Sequence, residues 1–219
     1  MTPRKQPGGG GAGGAGGAGG AVHTVVKIGG GMLSRTGVFD RVTAAIAEAA
    51  KGRRLVIVPG GGPFADAVRQ MFTRFKIGEE AAHWMAILGM DQYAHALAAR
   101  ISGAALVEGE TEIAAALTAG RIPVLAPFRW LKTADPLPHA WEVTSDSIAA
   151  WLTGALGARR LVLVKPASRQ PASQLVDAHF VRALPAGVEH LILTDDALGQ
   201  LELALREGGP EGRAPARQG

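Results

Sequence analysis

The sequence predicts an α/β fold in which helices cover an open, parallel sheet, and three observations carry that reading. Short β-branched or leucine-rich runs recur at His23–Ile28, Arg54–Val58, Ile122–Ala126 and Leu161–Val164. Segments with apolar residues at helical spacing separate them, and the first two runs each end in a glycine triplet. An uninterrupted apolar run of about four to eight residues marks a strand buried on both faces. Strand, turn and helix in succession build parallel sheets. With 219 residues, 47% of them hydrophobic, the chain can bury a sizeable core, which excludes disorder throughout.

The first strand, His23–Ile28, runs into Gly29-Gly30-Gly31. Between Gly37 and Ala50, Val38, Val42, Ile46 and Ala49 recur at helical spacing. Arg54–Val58 reads as a fully buried strand, closed by Pro59-Gly60-Gly61-Gly62-Pro63. The helix Phe64–Phe75 follows, with Ala67, Val68, Met71 and Phe72 on one face. A long helix spans Glu79–Ile101, its core residues Trp84, Ile87, Leu88, Met90, Ala94 and Leu97. Leu106-Val107 is a short strand and Glu110–Ala119 a short helix. The strand Ile122–Ala126 leads into a proline-rich loop, Pro127 to His139. Thr144-Ser145-Asp146 offers N-cap chemistry before the helix Ser147–Leu156. The strands Leu161–Val164 and His190–Leu193 and a last helix near Asp196–Arg206 complete the pattern.

The expected layout is a disordered glycine-rich tail over 1–21, a single domain over 22–206 and a flexible tail over 207–219. Ten glycines lie between Gly8 and Gly20, a stretch with no side chains to pack. The formal charge of +4 belongs largely to the tails, where Arg4, Lys5, Arg206, Arg213 and Arg217 outnumber Glu207 and Glu211. The near-neutral body does not predict a nucleic-acid surface. With no cysteine, disulfides, thiolate metal sites and cysteine nucleophiles are excluded. No apolar run reaches the roughly 18 residues needed to span a bilayer, and the N-terminus lacks the apolar stretch of a signal peptide. A cytoplasmic protein is expected.

The chemistry-bearing residues cluster at the glycine turns. Without Cβ atoms, Gly29, Gly30 and Gly31 let backbone N–H groups converge on an anion. Lys27 faces opposite Ile28 and reaches over the C-terminal edge of the sheet, where ligands of open α/β sheets bind. A lysine beside a glycine cradle suits a transferring phosphoryl group. The pattern is neither a P-loop, since no Gly-Lys-Ser/Thr follows, nor a dinucleotide GxGxxG. A single such triplet is commonly a plain turn, with Lys27 a snorkelling edge residue. The second triplet, Gly60, Gly61 and Gly62, at the end of a neighbouring strand makes a two-sided anion site the better reading. Asp146 either complements the first turn of its helix, worth about 0.3–1 kcal/mol, or accepts from Lys27 and orients its ammonium.

With these residues in hand, the chain resembles the amino-acid kinase family. The matching stretches are Val25-Val-Lys-Ile-Gly-Gly-Gly31, Val58-Pro-Gly-Gly-Gly-Pro-Phe-Ala65 and Thr144-Ser-Asp-Ser-Ile-Ala149, in the family's order. The resemblance covers Val22 to Lys165. It implies a three-layer αβα sandwich on an open, mostly parallel sheet, the amino-acid kinase (carbamate kinase-like) fold. Two longer stretches, His83–Tyr93 and Leu137–Leu152, are similar to the branch that phosphorylates a furan phosphate in methanofuran biosynthesis. The resemblance implies ATP as phosphoryl donor, Mg²⁺ arriving with it and no dedicated metal cage. The acceptor would be a small phosphomonoester, converted to a diphosphate, and the assembly a homo-oligomer. By matched motif, Lys27 would neutralise the transferring phosphoryl and Asp146 would organise the lysine. Gly29, Gly30 and Gly31 would donate amides to ATP, and Gly60, Gly61 and Gly62 would hold the acceptor.

One departure stands out. Many family members carry a second lysine on a late segment, and here no lysine follows Lys165. Lys165 ends a strand at the same sheet edge, so it either binds nucleotide or is a surface lysine before a proline turn; Arg129 is another stand-in. Asp91, on the long helix, is either an edge residue in water or a partner for a substrate's amine. His139 is a candidate phosphate contact or an ordinary surface histidine. His83 and His95 have no carboxylate at ligand spacing, so no metal site is assigned. Trp84, Trp141 and Trp151 read as core or interface residues. Other readings keep the fold but change the acceptor to UMP, isopentenyl phosphate or an amino-acid carboxylate, or make the chain a non-catalytic nucleotide- or oxyanion-binding protein.

Overall fold

The computed structural model describes residues 21–35, 37–171 and 174–206. The tails predicted over 1–21 and 207–219 lie outside the described residues, Ala21 excepted. Six strands form one sheet: β1 (Thr24–Ile28), β2 (Leu55–Pro59), β3 (Ala104–Val107), β4 (Ile122–Leu125), β5 (Arg160–Lys165) and β6 (Glu189–Thr194). Their order across the sheet is β3-β4-β2-β1-β5-β6, and every pairing is parallel. The helices are α1 (Val38–Ala49), α2 (Gly62–Phe75), α3 (Glu79–Arg100), α4 (Glu110–Thr118), α5 (Phe128–Ala134), α6 (Ser145–Ala155), α7 (Phe180–Ala183) and α8 (Leu201–Ala204).

Alternation along the strands sorts the core into two layers. Val26, Ile28, Ile57, Val162 and Val164 pack on α1, α8 and the C-terminal half of α3. Val25, Val56, Val58, Leu161 and Leu163 pack on α4, α6 and Phe180 of α7. Helix α3 crosses from one layer to the other. Its Ile87 and Met90 join the α6 side, while Tyr93, Ala94 and Leu97 join the α1 side. At roughly 1.5 Å per residue, its 22 residues span about 33 Å, long enough to reach both. Each fully buried aliphatic side chain contributes about 1.5–3 kcal/mol, so the central strands hold most of the fold's stability.

Three expectations are corrected. The segment read as a loop from Pro127 contains α5, because the Asp91 carboxylate accepts from the Phe128 amide at 3.0 Å and caps it. Helix α6 begins at Ser145, and its N-cap is Thr144, whose hydroxyl accepts from the Asp146 amide. The last helix is a 3₁₀ turn followed by the short α8. Two predicted core positions, Met71 and Leu88, are about 40% exposed, since α2 buries only Val68 and α3 leaves one side to solvent. Among the described residues no helix is long and apolar enough to cross a membrane.

Candidate active site

Register and alternation bring the lysines together. Lys27 pairs with Leu163, and Ile28 with Val164. Side chains of period two therefore put Lys27 and Lys165 on one face, in line with Val25, Leu161 and Leu163. That is the face on which α6 packs, and the N-terminus of α6 ends at the sheet rim. Asp146, second residue of α6, lies 2.8 Å from the Lys27 ammonium and 2.5 Å from that of Lys165. Lys27 and Asp146 are each only 4% exposed. The Lys165 contact is a hydrogen bond, and Lys27 and Asp146 form a close ion pair.

One carboxylate thus serves two cations, Lys27 buried and Lys165 partly so. Burial would raise the Asp146 carboxyl, but the two ammonium groups outweigh it and hold it below the ordinary carboxylate range. The pairing is lopsided, and Lys165 does not gain what Asp146 gains. Burial, reinforced by the charge of Lys27, pulls the Lys165 ammonium down, and Asp146 and Asp177 offset only part of this. A buried excess of positive charge is costly until an anion balances it.

The two glycine turns meet beside this pair. A Cβ on Gly30 would lie 2.0 Å from the Gly62 amide nitrogen, so only glycine permits the contact, and Gly62 itself sits at φ +55°. Both triplets were expected to offer all their amides. The structure commits two of them to the sheet: Gly29 N–H donates to the Val164 carbonyl at 2.7 Å and Gly60 N–H to that of Ile28 at 2.8 Å. Among the described residues, the amides of Gly30, Gly31, Gly61 and Gly62 have no backbone acceptor. Tyr93, fully buried on α3, reaches the Gly29 carbonyl at 3.4 Å.

The first turn of α6 is held from outside. Asp177 accepts from the amide and hydroxyl of Thr144 at 3.1 and 2.6 Å, and from those of Ser147 at 3.2 and 2.5 Å. The carbonyl of Leu175 accepts from Lys165. Nothing in the loop sequence around Asp177 singles it out; its partners at the start of α6 are thirty or more residues away.

Next to the glycine turns opens a cavity of about 230 Å³, lined by Gly30, Gly31, Gly61 and Gly62 at one end. Ile87, Met90 and Val143 give it apolar walls, and Asp66, Arg69, Glu79, His83 and Trp141 its polar and aromatic side. Arg69 lies over the Trp141 ring at 5.2 Å and pairs with Asp66 at 2.9 Å. His83 is lowered to about 4 by burial and by neighbouring His139, so it is neutral near pH 7. His83, set aside in the sequence for want of metal-ligand spacing, is the histidine that faces the cavity. His139 is not among the cavity's lining residues; it stacks on His83 at 4.2 Å and bonds Asp135 at 2.8 Å. Asp91 does not line the cavity either, being the cap of α5, and burial raises it to about 6. Arg129, the other residue named for the late lysine's role, pairs with Glu108 and is 73% exposed. Lys165 is the second lysine beside Asp146. Among the described residues no group of histidine or acidic side chains is arranged to hold a metal ion.

A model described as "Amino acid kinase family" matches residues 23–167. A curated relative, the [5-(aminomethyl)furan-3-yl]methyl phosphate kinase of Methanocaldococcus jannaschii, is 29% identical over 141 residues, 64% of this chain. The match covers 63% of that relative, somewhat less than two thirds of its length. UMP kinase from Ureaplasma parvum superposes with a TM-score of 0.63 at 15% identity, covering 80% of this chain and 91% of that one. Aspartate kinase from Synechocystis gives 0.55 at 14% identity, covering 80% of this chain and 38% of that one. At these identities the solved structures speak for the fold alone. The family match spans all three stretches singled out in the sequence, and the chain belongs to the amino acid kinase family.

Proposed function

We propose that this protein is an ATP-dependent phosphotransferase that adds a phosphoryl group to a small phosphomonoester, giving a diphosphate. The observation that carries the reading is the buried Lys27–Asp146–Lys165 group, which holds two cations against one carboxylate beside two glycine turns. Such a site is incomplete without an anion, and phosphoryl transfer needs positioning and charge stabilisation more than a covalent nucleophile. The acceptor we favour is an aminomethylfuran methyl phosphate, after the name of the curated relative.

The residues present fit a polyphosphate. A Cβ would fill the cradle at Gly30, and the amides of Gly30, Gly31, Gly61 and Gly62 are available to donate. They do not form a cage for Mg²⁺, which would be held chiefly by the nucleotide. ATP supplies the phosphoryl group. Lys27 and Lys165 hold its oxygens and draw off developing negative charge. Asp146 keeps both ammonium groups aimed at the rim. Gly61 and Gly62 hold the acceptor's phosphate, and the walls at Ile87, Met90 and Trp141 suit a flat, apolar ring.

Incubation with ATP, Mg²⁺ and one candidate acceptor at a time tests this. ADP release with the aminomethylfuran phosphate, and little with UMP, isopentenyl phosphate or an amino-acid carboxylate, is the expected result. Release with another acceptor alone would replace the substrate, and none with any would favour a binding protein.

A further inference from the structure

The Asp177 carboxylate receives five hydrogen bonds, four of them from Thr144 and Ser147 and the fifth from the His179 amide at 3.0 Å. A chain of contacts leads from it to the reacting end of the molecule. The Thr144 hydroxyl donates to Asp177, which turns its lone pair toward the Asp146 amide, 3.3 Å away. On the other side, the segment carrying Asp177 supplies the Leu175 carbonyl that accepts from Lys165. The same short segment therefore restrains both the carboxylate and one of the two ammonium groups.

We propose that Asp177 is a positioning residue for the lysine pair, acting through the first turn of α6 and the Leu175 carbonyl rather than by touching substrate. A carboxylate is the side chain suited to this place, because it accepts from three amides and two hydroxyls at once. Its charge also bears on Lys165, which is faced by Lys27 from β1, Asp146 from α6 and Asp177 from the segment after β5. A carboxylate that only fastened a loop to a helix would affect stability alone.

The test pairs Asp177→Asn with Asp177→Ala and reads two quantities on the full chain. In steady-state kinetics, which rest on the phosphotransfer reading, kcat falls roughly 30-fold for Asn and 100-fold for Ala while the KM for ATP changes less than about 3-fold. In NMR of protein labelled at lysine Cε, with Lys165 assigned from a Lys165→Arg spectrum, the Lys165 titration moves to lower pH in Asp177→Asn. The second measurement needs no turnover, so an inactive wild type would sink the phosphotransfer reading and still decide this one. Thr153→Ala serves as the stability control, because it removes a buried hydroxyl bond to the Ala149 carbonyl farther along α6. It should lower the melting temperature and leave both readouts in place. If Asp177→Ala does not fold, Asp177→Asn carries both measurements. A Lys165 titration unchanged in Asp177→Asn overturns the proposal. So does a Thr153→Ala variant that reproduces both effects at equal loss of melting temperature.

Discussion

The lysine rim and the neighbouring cleft lie side by side and are built in opposite ways. At the rim, Lys27 and Asp146 are 4% exposed and held by strand register and a capped helix, and Lys165 is tied to the Leu175 carbonyl. In the cleft, Arg69 and Asp66 are more than half exposed, and the aromatic wall comes from side chains on separate elements. Dense, ordered surroundings suit the part that must steady charge to within a fraction of an ångström. An open, side-chain-built surface suits the part that recognises one acceptor among many, since side chains can change without disturbing backbone.

If that contrast is right, changes at the rim should strike turnover and changes in the cleft should strike acceptor affinity. The largest effect is expected for Lys27→Ala, with kcat lowered about 10³-fold and ATP binding still measurable through the glycine amides and Lys165. Near-normal turnover would place the rim's chemistry elsewhere. Next comes Gly30→Ala, whose new methyl would meet the Gly62 nitrogen at 2.0 Å and whose expected cost is about 3–5 kcal/mol in urea unfolding. Gly199→Ala, with nothing within 4 Å, should stay within about 0.5 kcal/mol. Trp141→Leu tests the other side of the comparison. The acceptor's KM should rise roughly 10-fold, while kcat and the KM for ATP move little.

The smallest effect concerns Asp91, which lies outside both regions. Its carboxyl is raised to about 6, so the folded chain binds more protons there than the unfolded chain does between about pH 4 and 6. Its stabilising share is present in acid and is lost as the pH climbs through that window. Compared with Asp91→Asn, which keeps an acceptor for the Phe128 amide, the wild type should lose about 1–2 kcal/mol between pH 4 and 6.5. Parallel curves for the two proteins would show that burial of the charge is harmless.

Much of the fold was readable because its signals are local. The runs at Leu55–Val58 and Leu161–Val164 are apolar on both faces and end in turn residues, and α3 declares itself over six turns. Helix α5 was missed because its N-terminus is capped by Asp91, a residue 37 positions away that no window around Phe128 contains. The same reason explains the differences at the candidate site. Lys27 stands two residues before the first glycine triplet and each triplet is contiguous, so the sequence displays them. Asp177 and His83 matter through partners brought near only by folding, and Asp91 and His139 looked chemically apt but were turned to other contacts.

The order of residues alone decided that there would be short buried strands ending in glycine turns, with a lysine two residues before the first turn, because those properties depend on neighbours in the chain. Which lysine would share Asp146 with Lys27 was decided only when β1 and β5 paired in register beneath the N-terminus of α6. A charge's effect depends on distance and burial, and neither exists until distant segments meet.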